Sequence, residues 1–180
     1  PVPTTSSISP TTKTAGDLGF ILTVNGTNFI ATSVVKSDAA DKATTYVSAT
    51  QLTASILPAD IATAGSYPVT VFNSTPGGGT SNGQTLTVVA PNPVPTTSSI
   101  SPDSKVAGDA GFTITVNGTN FITSSTVKLD GADRATTYVS STQLTASILS
   151  SDVASAGSYP VTVFNSTPGG GTSNGQTLTV

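Results

Sequence analysis

Nine acidic side chains, all of them aspartate, are the only carboxylates in the side chains of this 180-residue chain. Asp38 and Asp41 lie close to Lys36 and Lys42, and Asp130 and Asp133 lie close to Lys128 and Arg134. Calcium takes six or more oxygens with its carboxylates clustered. Two aspartates per loop, each beside a lysine or arginine, fit a solvated loop with weak ion pairs instead, unless the fold adds Asp17 or Asp60. Paired carboxylates also hydrolyse glycosidic bonds. Every aspartate except Asp103 recurs in a second copy, however, and nothing places two of them across a cleft. Gly77-Gly78-Gly79 has the look of a phosphate cradle, but such a loop needs a Lys-Ser/Thr pair opening a helix. Thr80-Ser81-Asn82-Gly83 follows instead, which reads as a hairpin loop. An isopeptide bond from Lys13 or Lys36 needs a buried lysine beside an acid. Both stand among polar residues, so both are expected at the surface.

The chain has no His, Cys, Met or Trp. It therefore lacks disulfides, thiolate nucleophiles and cysteine-based metal sites. It also lacks the commonest general base and metal ligand. The net charge of −3 argues against nucleic acid, whose binding rests on Lys and Arg. No run approaches the ~18 apolar residues of a membrane span. The expectation is a non-enzyme with no catalytic, metal or cofactor residues.

Ser and Thr supply 59 residues, and Gly (17) and Pro (12) punctuate the chain. Val, Ile, Thr, Tyr and Phe suit a pleated, half-buried surface, so an all-β fold is expected. An internal repeat organises it. Pro1 to Pro10 (PVPTTSSISP) recurs as Pro93 to Pro102, and the offset of 92 holds without a gap. Residues 1–88 align with 93–180 at 71 identities in 88 pairs. This predicts two small domains: repeat 1 over 1–90, a proline-rich junction over 91–95, and repeat 2 over 93–180. The junction in full is Val89, Ala90, Pro91, Asn92, Pro93, Val94 and Pro95, and its prolines predict a semi-rigid, extended backbone. Val180 matches Val88 in phase, which leads to the expectation of further copies in a longer protein.

Seven strands per copy follow from alternation and turn residues: Thr5–Ser9, Phe20–Val24, Ser33–Ser37, Thr44–Ser48, Gln51–Ile56, Tyr67–Asn73 and Gln84–Val89. Phe20, Leu22, Val24, Leu52, Ala54, Ile56, Tyr67, Val69, Val71, Leu86 and Val88 face inward. Ile21, replaced by Thr113 in the second copy, faces out. Asn25-Gly26 reads as a turn and Ala59–Ala64 as a short helical piece. The pattern describes two tandem Ig-like β-sandwich domains. Ser7-Ile8-Ser9-Pro10, Val24-Asn25-Gly26-Thr27-Asn28-Phe29 and Gly65-Ser66-Tyr67-Pro68-Val69-Thr70-Val71-Phe72-Asn73 carry a resemblance to the IPT/TIG family of Ig-like domains, as do their counterparts in the second copy. That resemblance implies a non-catalytic sandwich of the kind found in bacterial surface proteins, in receptor ectodomains and beside polysaccharide enzymes. The basic loops of DNA-binding members are missing.

Surface candidates remain. Phe72 and Phe164 have outward parity and could be interaction spots or sugar platforms. Asn25, Asn73, Asn117 and Asn165 head N-glycosylation triplets. Thr4, Thr5, Ser6 and Ser7, with Thr96, Thr97, Ser98 and Ser99, offer O-linked positions. Two roles stay open. One is a structural repeat of an extracellular or cell-surface stalk, fibre or filament, with neighbouring repeats or identical subunits as partners. Such subunits could join by strand addition, with Pro1 to Pro10 as donor. The other is an adhesin or carbohydrate-binding accessory module that takes surface glycans.

Overall fold

A computed structural model describes all 180 residues. The chain divides into two compact units, Pro1–Ala90 and Pro91–Val180. In the first, ten strands form in order: β1 Thr4–Ser9, β2 Thr12–Thr14, β3 Phe20–Thr27, β4 Val34–Ser37, β5 Ala40–Asp41, β6 Thr44–Ser48, β7 Gln51–Ile56, β8 Gly65–Asn73, β9 Gly79–Thr80 and β10 Gln84–Val89. A 3-10 turn at Pro58–Ile61 lies between β7 and β8. The second unit repeats this with β11 Thr96–Ser101, β12 Phe112–Thr119, β13 Thr126–Leu129, β14 Ala132–Asp133, β15 Thr136–Ser140, β16 Gln143–Ile148, β17 Ser158–Asn165, β18 Gly171–Thr172 and β19 Gln176–Thr179. The counterpart of β2 is reduced there to one parallel bridge, Ser104 to Thr179.

Each unit is a two-sheet sandwich. In the first, one sheet has the order β1-β3-β7-β6, all antiparallel, and the other has the order β2-β10-β8-β4-β5 with β9 on β8. Only the β2–β10 pair is parallel. The alternation of apolar residues in sequence becomes alternation of burial, strictly so in β7. Ile8, Leu22, Val24, Leu52, Ala54 and Ile56 from one sheet meet Val35, Val69, Val71, Leu86 and Val88 from the other. Phe29 and Ile61 add to this core from outside the strands. Burying each Leu, Ile or Val contributes about 1.5–3 kcal/mol, which is what holds a domain without disulfides together. Phe20 and Tyr67, expected inside, are only partly buried and pack against this core. Ile21 is 61% exposed, on the outer face where Thr113 replaces it.

Asn25-Gly26 is not a turn. β3 runs through it to Thr27. A Cβ at Gly26 would stand 1.9 Å from Thr4 O and 2.6 Å from Phe29 Cζ, so glycine is there for close approach. The chain reverses at Asn28, which holds φ 60. β2, β5 and β9 had no signal in the sequence. β2 reads Thr-Lys-Thr and has no buried face, and β5 is two exposed residues.

Candidate functional site

Asn73 closes β8 and is 1% exposed. Its Nδ2 donates to Pro1 O (3.0 Å) and Asn28 O (2.9 Å), and its Oδ1 accepts from Ser33 Oγ (2.6 Å). Asn165, 0% exposed, does the same with Pro93 O (2.9 Å), Asn120 O (2.9 Å) and Ser125 Oγ (2.6 Å). Both amide hydrogens are engaged, so the folded domain has no room for a glycan on Asn73 or Asn165. This corrects the reading from the triplets. Asn25 and Asn117 are different. Asn25 lies on the outer sheet face, donating to Ser7 Oγ (3.1 Å) and accepting from Gln51 Nε2 (3.0 Å). Asn117 repeats this with Ser99 and Gln143.

Thr5 and Thr97 are also buried, which removes them as O-linked positions, whereas Thr4, Ser6, Ser7, Thr96, Ser98 and Ser99 stay exposed. Thr5 N–H donates to Asn82 Oδ1 (2.9 Å) and Thr5 Oγ to Asn82 O (2.6 Å). Thr5 O accepts from Asn82 Nδ2 (2.8 Å) and Gln84 Nε2 (3.2 Å). β1 is thereby tied to the start of β10 as well as paired along β3. It is an integral strand of its own domain.

Phe72 and Phe164 are half-buried at their outward positions. Lys36 Nζ stands 5.6 Å from the Phe72 ring centre and Lys128 Nζ 5.5 Å from that of Phe164. An ammonium over the ring face is a favourable cation–π pair and occupies the surface a sugar would stack on. Lys13 covers Phe20 at 5.1 Å and Lys105 covers Phe112 at 4.8 Å.

Every Lys and Arg in the chain is paired with an aspartate. The pairs are Lys13–Asp17 (3.1 Å), Lys36–Asp41, Lys42–Asp60 (2.6 Å), Lys105–Asp109 (3.4 Å), Lys128–Asp133 and Arg134–Asp152 (2.7 Å). No three carboxylates converge. Lys42 and Asp60 are the enclosed pair in the first domain, with side chains 10% and 20% exposed. Sequence reasoning placed Lys42 in a solvated loop and missed this contact, which spans 18 residues. Asp60 Oδ2 also accepts from Leu57 N–H (2.9 Å), capping the 3-10 turn. Burial alone would raise the Asp60 pKa. The Lys42 hydrogen bond and charge and the Leu57 N–H outweigh it and hold the carboxyl below its ordinary value. Asp17 is also lowered, by Thr14 N–H first and Lys13 second. In the second domain the fork of Arg134 grips Asp152 through Nε (2.8 Å) and Nη2 (2.7 Å).

An open cleft of about 230 Å³ lies over this pair, lined by Ser37, Asp38, Lys42, Asp60, Thr63 and Tyr67 among others. Tyr67 OH donates to Thr63 O (2.7 Å). The second domain has a matching cleft in which Ser37 becomes Leu129, Lys42 becomes Arg134 and Thr63 becomes Ser155. Its polar groups are largely engaged with one another, and its lining varies between copies.

Of the junction residues, Val89 ends β10 in the first unit, while Pro91 to Pro95 belong to the second. Asn92 is hydrogen-bonded to the glycine-rich loop of that second unit.

The two-sheet sandwich with these edge strands defines an Ig-like domain present twice. The IPT/TIG domain profile matches residues 3–88 and 95–180. The chain belongs to the IPT/TIG domain family. No curated protein matches it. Among solved structures, it is similar to a Ca2+-stabilized adhesin that helps an Antarctic bacterium bind ice, at 17% identity and TM-score 0.51, covering 98% of this chain and 48% of that one. A 1.5-MDa bacterial ice-binding adhesin follows at 15% identity and TM-score 0.49, covering 99% and 63%. The plexin A4 extracellular region matches at 16% identity and TM-score 0.40, covering 96% and 18%. The chain thus spans less than two thirds of each. The likeness is one of fold. No helix is long and apolar enough to cross a membrane.

Proposed function

We propose that these two domains are a non-catalytic spacer, a segment of an extracellular stalk or fibre that holds other parts of a surface protein away from the cell. The observation that carries this reading is how the chemistry-bearing side chains are used. All six cations are paired with aspartates, and four phenylalanine rings lie under lysines. What remains outside is Ser, Thr and small residues together with separate exposed apolar side chains such as Leu18, Ile21, Tyr46 and Val47. Near-identity of the copies supports the same role, since alike units joined by alike junctions make a regular spacer. The adhesin of similar fold, described as helping its bacterium bind ice, is in keeping with it. The spacer needs no exchange of strands between subunits, which suits a first strand tied to Asn82.

The test is small-angle scattering on the 180-residue chain and on a four-domain concatemer of it. A spacer gives a maximum dimension that grows in proportion to domain number. A compact particle, or saturable binding to a glycan array at micromolar affinity, overturns the reading.

A further inference from the structure

The junction is hydrogen-bonded on both sides of Ala90. Ala15 N–H donates to Val89 O (2.8 Å). Asn92 then makes three bonds to the loop between β17 and β18. Its N–H donates to Pro168 O (2.7 Å), its Nδ2 donates to Ser166 O (2.8 Å), and its O accepts from Gly170 N–H (2.7 Å). The next two residues are held too: Pro93 O accepts from Asn165 Nδ2 (2.9 Å), and Val94 O from Asn120 Nδ2 (3.0 Å). Asn92 and Gly169 form a parallel bridge. A Cβ on Gly169 would stand 2.6 Å from Asn92 O and 2.7 Å from Pro91 Cβ, so only glycine admits the segment at that point.

The first domain carries the same loop residue for residue, Asn73-Ser74-Thr75-Pro76-Gly77-Gly78-Gly79. Its entering chain is held in the same way. Pro1 O accepts from Asn73 Nδ2 (3.0 Å) and Val2 O from Asn28 Nδ2 (3.0 Å). Ser74 O, Pro76 O and Gly78 N–H, the counterparts of the three Asn92 partners, make no hydrogen bond. A Cβ at Gly77 would meet nothing within 4 Å. Gly170 holds φ 68, whereas Gly78 lies outside the left-handed region. The seventeen differences between copies (88 − 71) all fall between residues 11 and 63, so both the loop and the entering strand are invariant.

We propose that the glycine-rich loop is a docking site for the extended Pro-Asn-Pro segment that leads into a repeat, and that the loop of the first domain takes this segment when it is supplied ahead of Pro1. The asparagine is the residue the loop selects, because it alone adds a side-chain donor to the two backbone bonds. A junction docked this way is part of the domain it precedes, which deepens the spacer reading and rests on it for its biological sense. The chemistry of the loop is independent of that reading.

The experiment extends the 180-residue chain with Ala-Pro-Asn ahead of Pro1 and compares it with the unextended chain by amide exchange in NMR. In the Asn-extended chain, Gly78 N–H becomes protected about tenfold or more, the effect of gaining one net hydrogen bond, and approaches Gly170. The thermal midpoint of the first domain rises by about 4–8 °C, which is what one such bond gives a domain of this size. An Ala-Pro-Ala extension gives a smaller gain, and Asn92→Ala lowers protection of Gly170 by about the same tenfold factor. Unchanged Gly78 exchange in the Asn-extended chain, with Gly170 protected, overturns the proposal. Failure of the spacer reading would show separately, as a compact concatemer in scattering whatever Gly78 does.

Discussion

Replacing Asn73 with alanine tests whether a buried amide, not only the apolar core, holds the end of each sandwich together. The substitution removes the donors to Pro1 O and Asn28 O and the acceptor of Ser33 Oγ. Pro1 is exposed, so water replaces that partner at little cost. Ser33 is buried, and its hydroxyl loses its acceptor under the surface, whereas Asn28 is exposed and water can replace the donor to its carbonyl. An unsatisfied buried group costs about 1–3 kcal/mol, so the loss expected from this one hydroxyl is about 1–3 kcal/mol. That is a large share of the ~5–15 kcal/mol that stabilises a typical domain. Urea unfolding of the full chain, followed by NMR signals assigned to each domain, reads the loss in the first domain alone. The second domain is the internal reference. Asn25→Ala is the matched control, because Asn25 heads a similar triplet but bonds to Ser7 and Gln51 at the sheet surface. Its cost is expected below about 1 kcal/mol. A loss under about 0.5 kcal/mol for Asn73→Ala would refute the reasoning, as would equal losses at the two positions.

Three further outcomes follow from contacts described above. Asp60 has a folded pKa below its ordinary 3.8, so its contribution is complete above that value and is lost as pH falls through the lower folded value. Urea midpoints of the first domain at pH 5 and pH 3 should differ more in the native chain than in Asp60→Asn. Lys42→Arg copies the fork of Arg134 onto Asp60 and should stabilise the first domain by about 0.5–1 kcal/mol, seen as a raised thermal midpoint. Gly26→Ala drives a methyl to within 1.9 Å of Thr4 O and should cost about 3 kcal/mol or more, with the β1–β3 amides losing exchange protection first.

The sandwich was legible in sequence because its central strands β3, β7 and β8 carry alternating apolar residues bounded by turn residues. β6, β7 and β10 begin and end where Thr44, Ser48, Gln51, Ile56, Gln84 and Val89 suggested. Local pattern fails where the cause is non-local. Asn25-Gly26 has turn composition, yet the constraint on Gly26 is the backbone of Thr4, 22 residues away. Asn73 and Asn25 both head Asn-x-Thr triplets, and only the packing of Pro1 and Asn28 against the former tells them apart. The Lys42–Asp60 pair joins two segments that sequence spacing gave no reason to connect. The three glycines of the loop read as turn formers, but Gly169 is needed for the chain that lies across it.

The one parallel pairing in the first domain bears on how it answers tension. β2 follows β1 at the entering end of the chain, and β10 leads out of the domain. Thr12, Lys13 and Thr14 pair in parallel register with Thr87, Val88 and Val89. Pulling the two ends apart draws these strands past one another along their length, so their hydrogen bonds are loaded together and not peeled one at a time. Rupture then requires sliding a whole register at once, and the lifetime under load is set by the unfolding rate. For a domain with no disulfide to arrest extension, that short polar strand, invisible in the sequence pattern, sets a sheared contact between the entering and leaving ends of the chain.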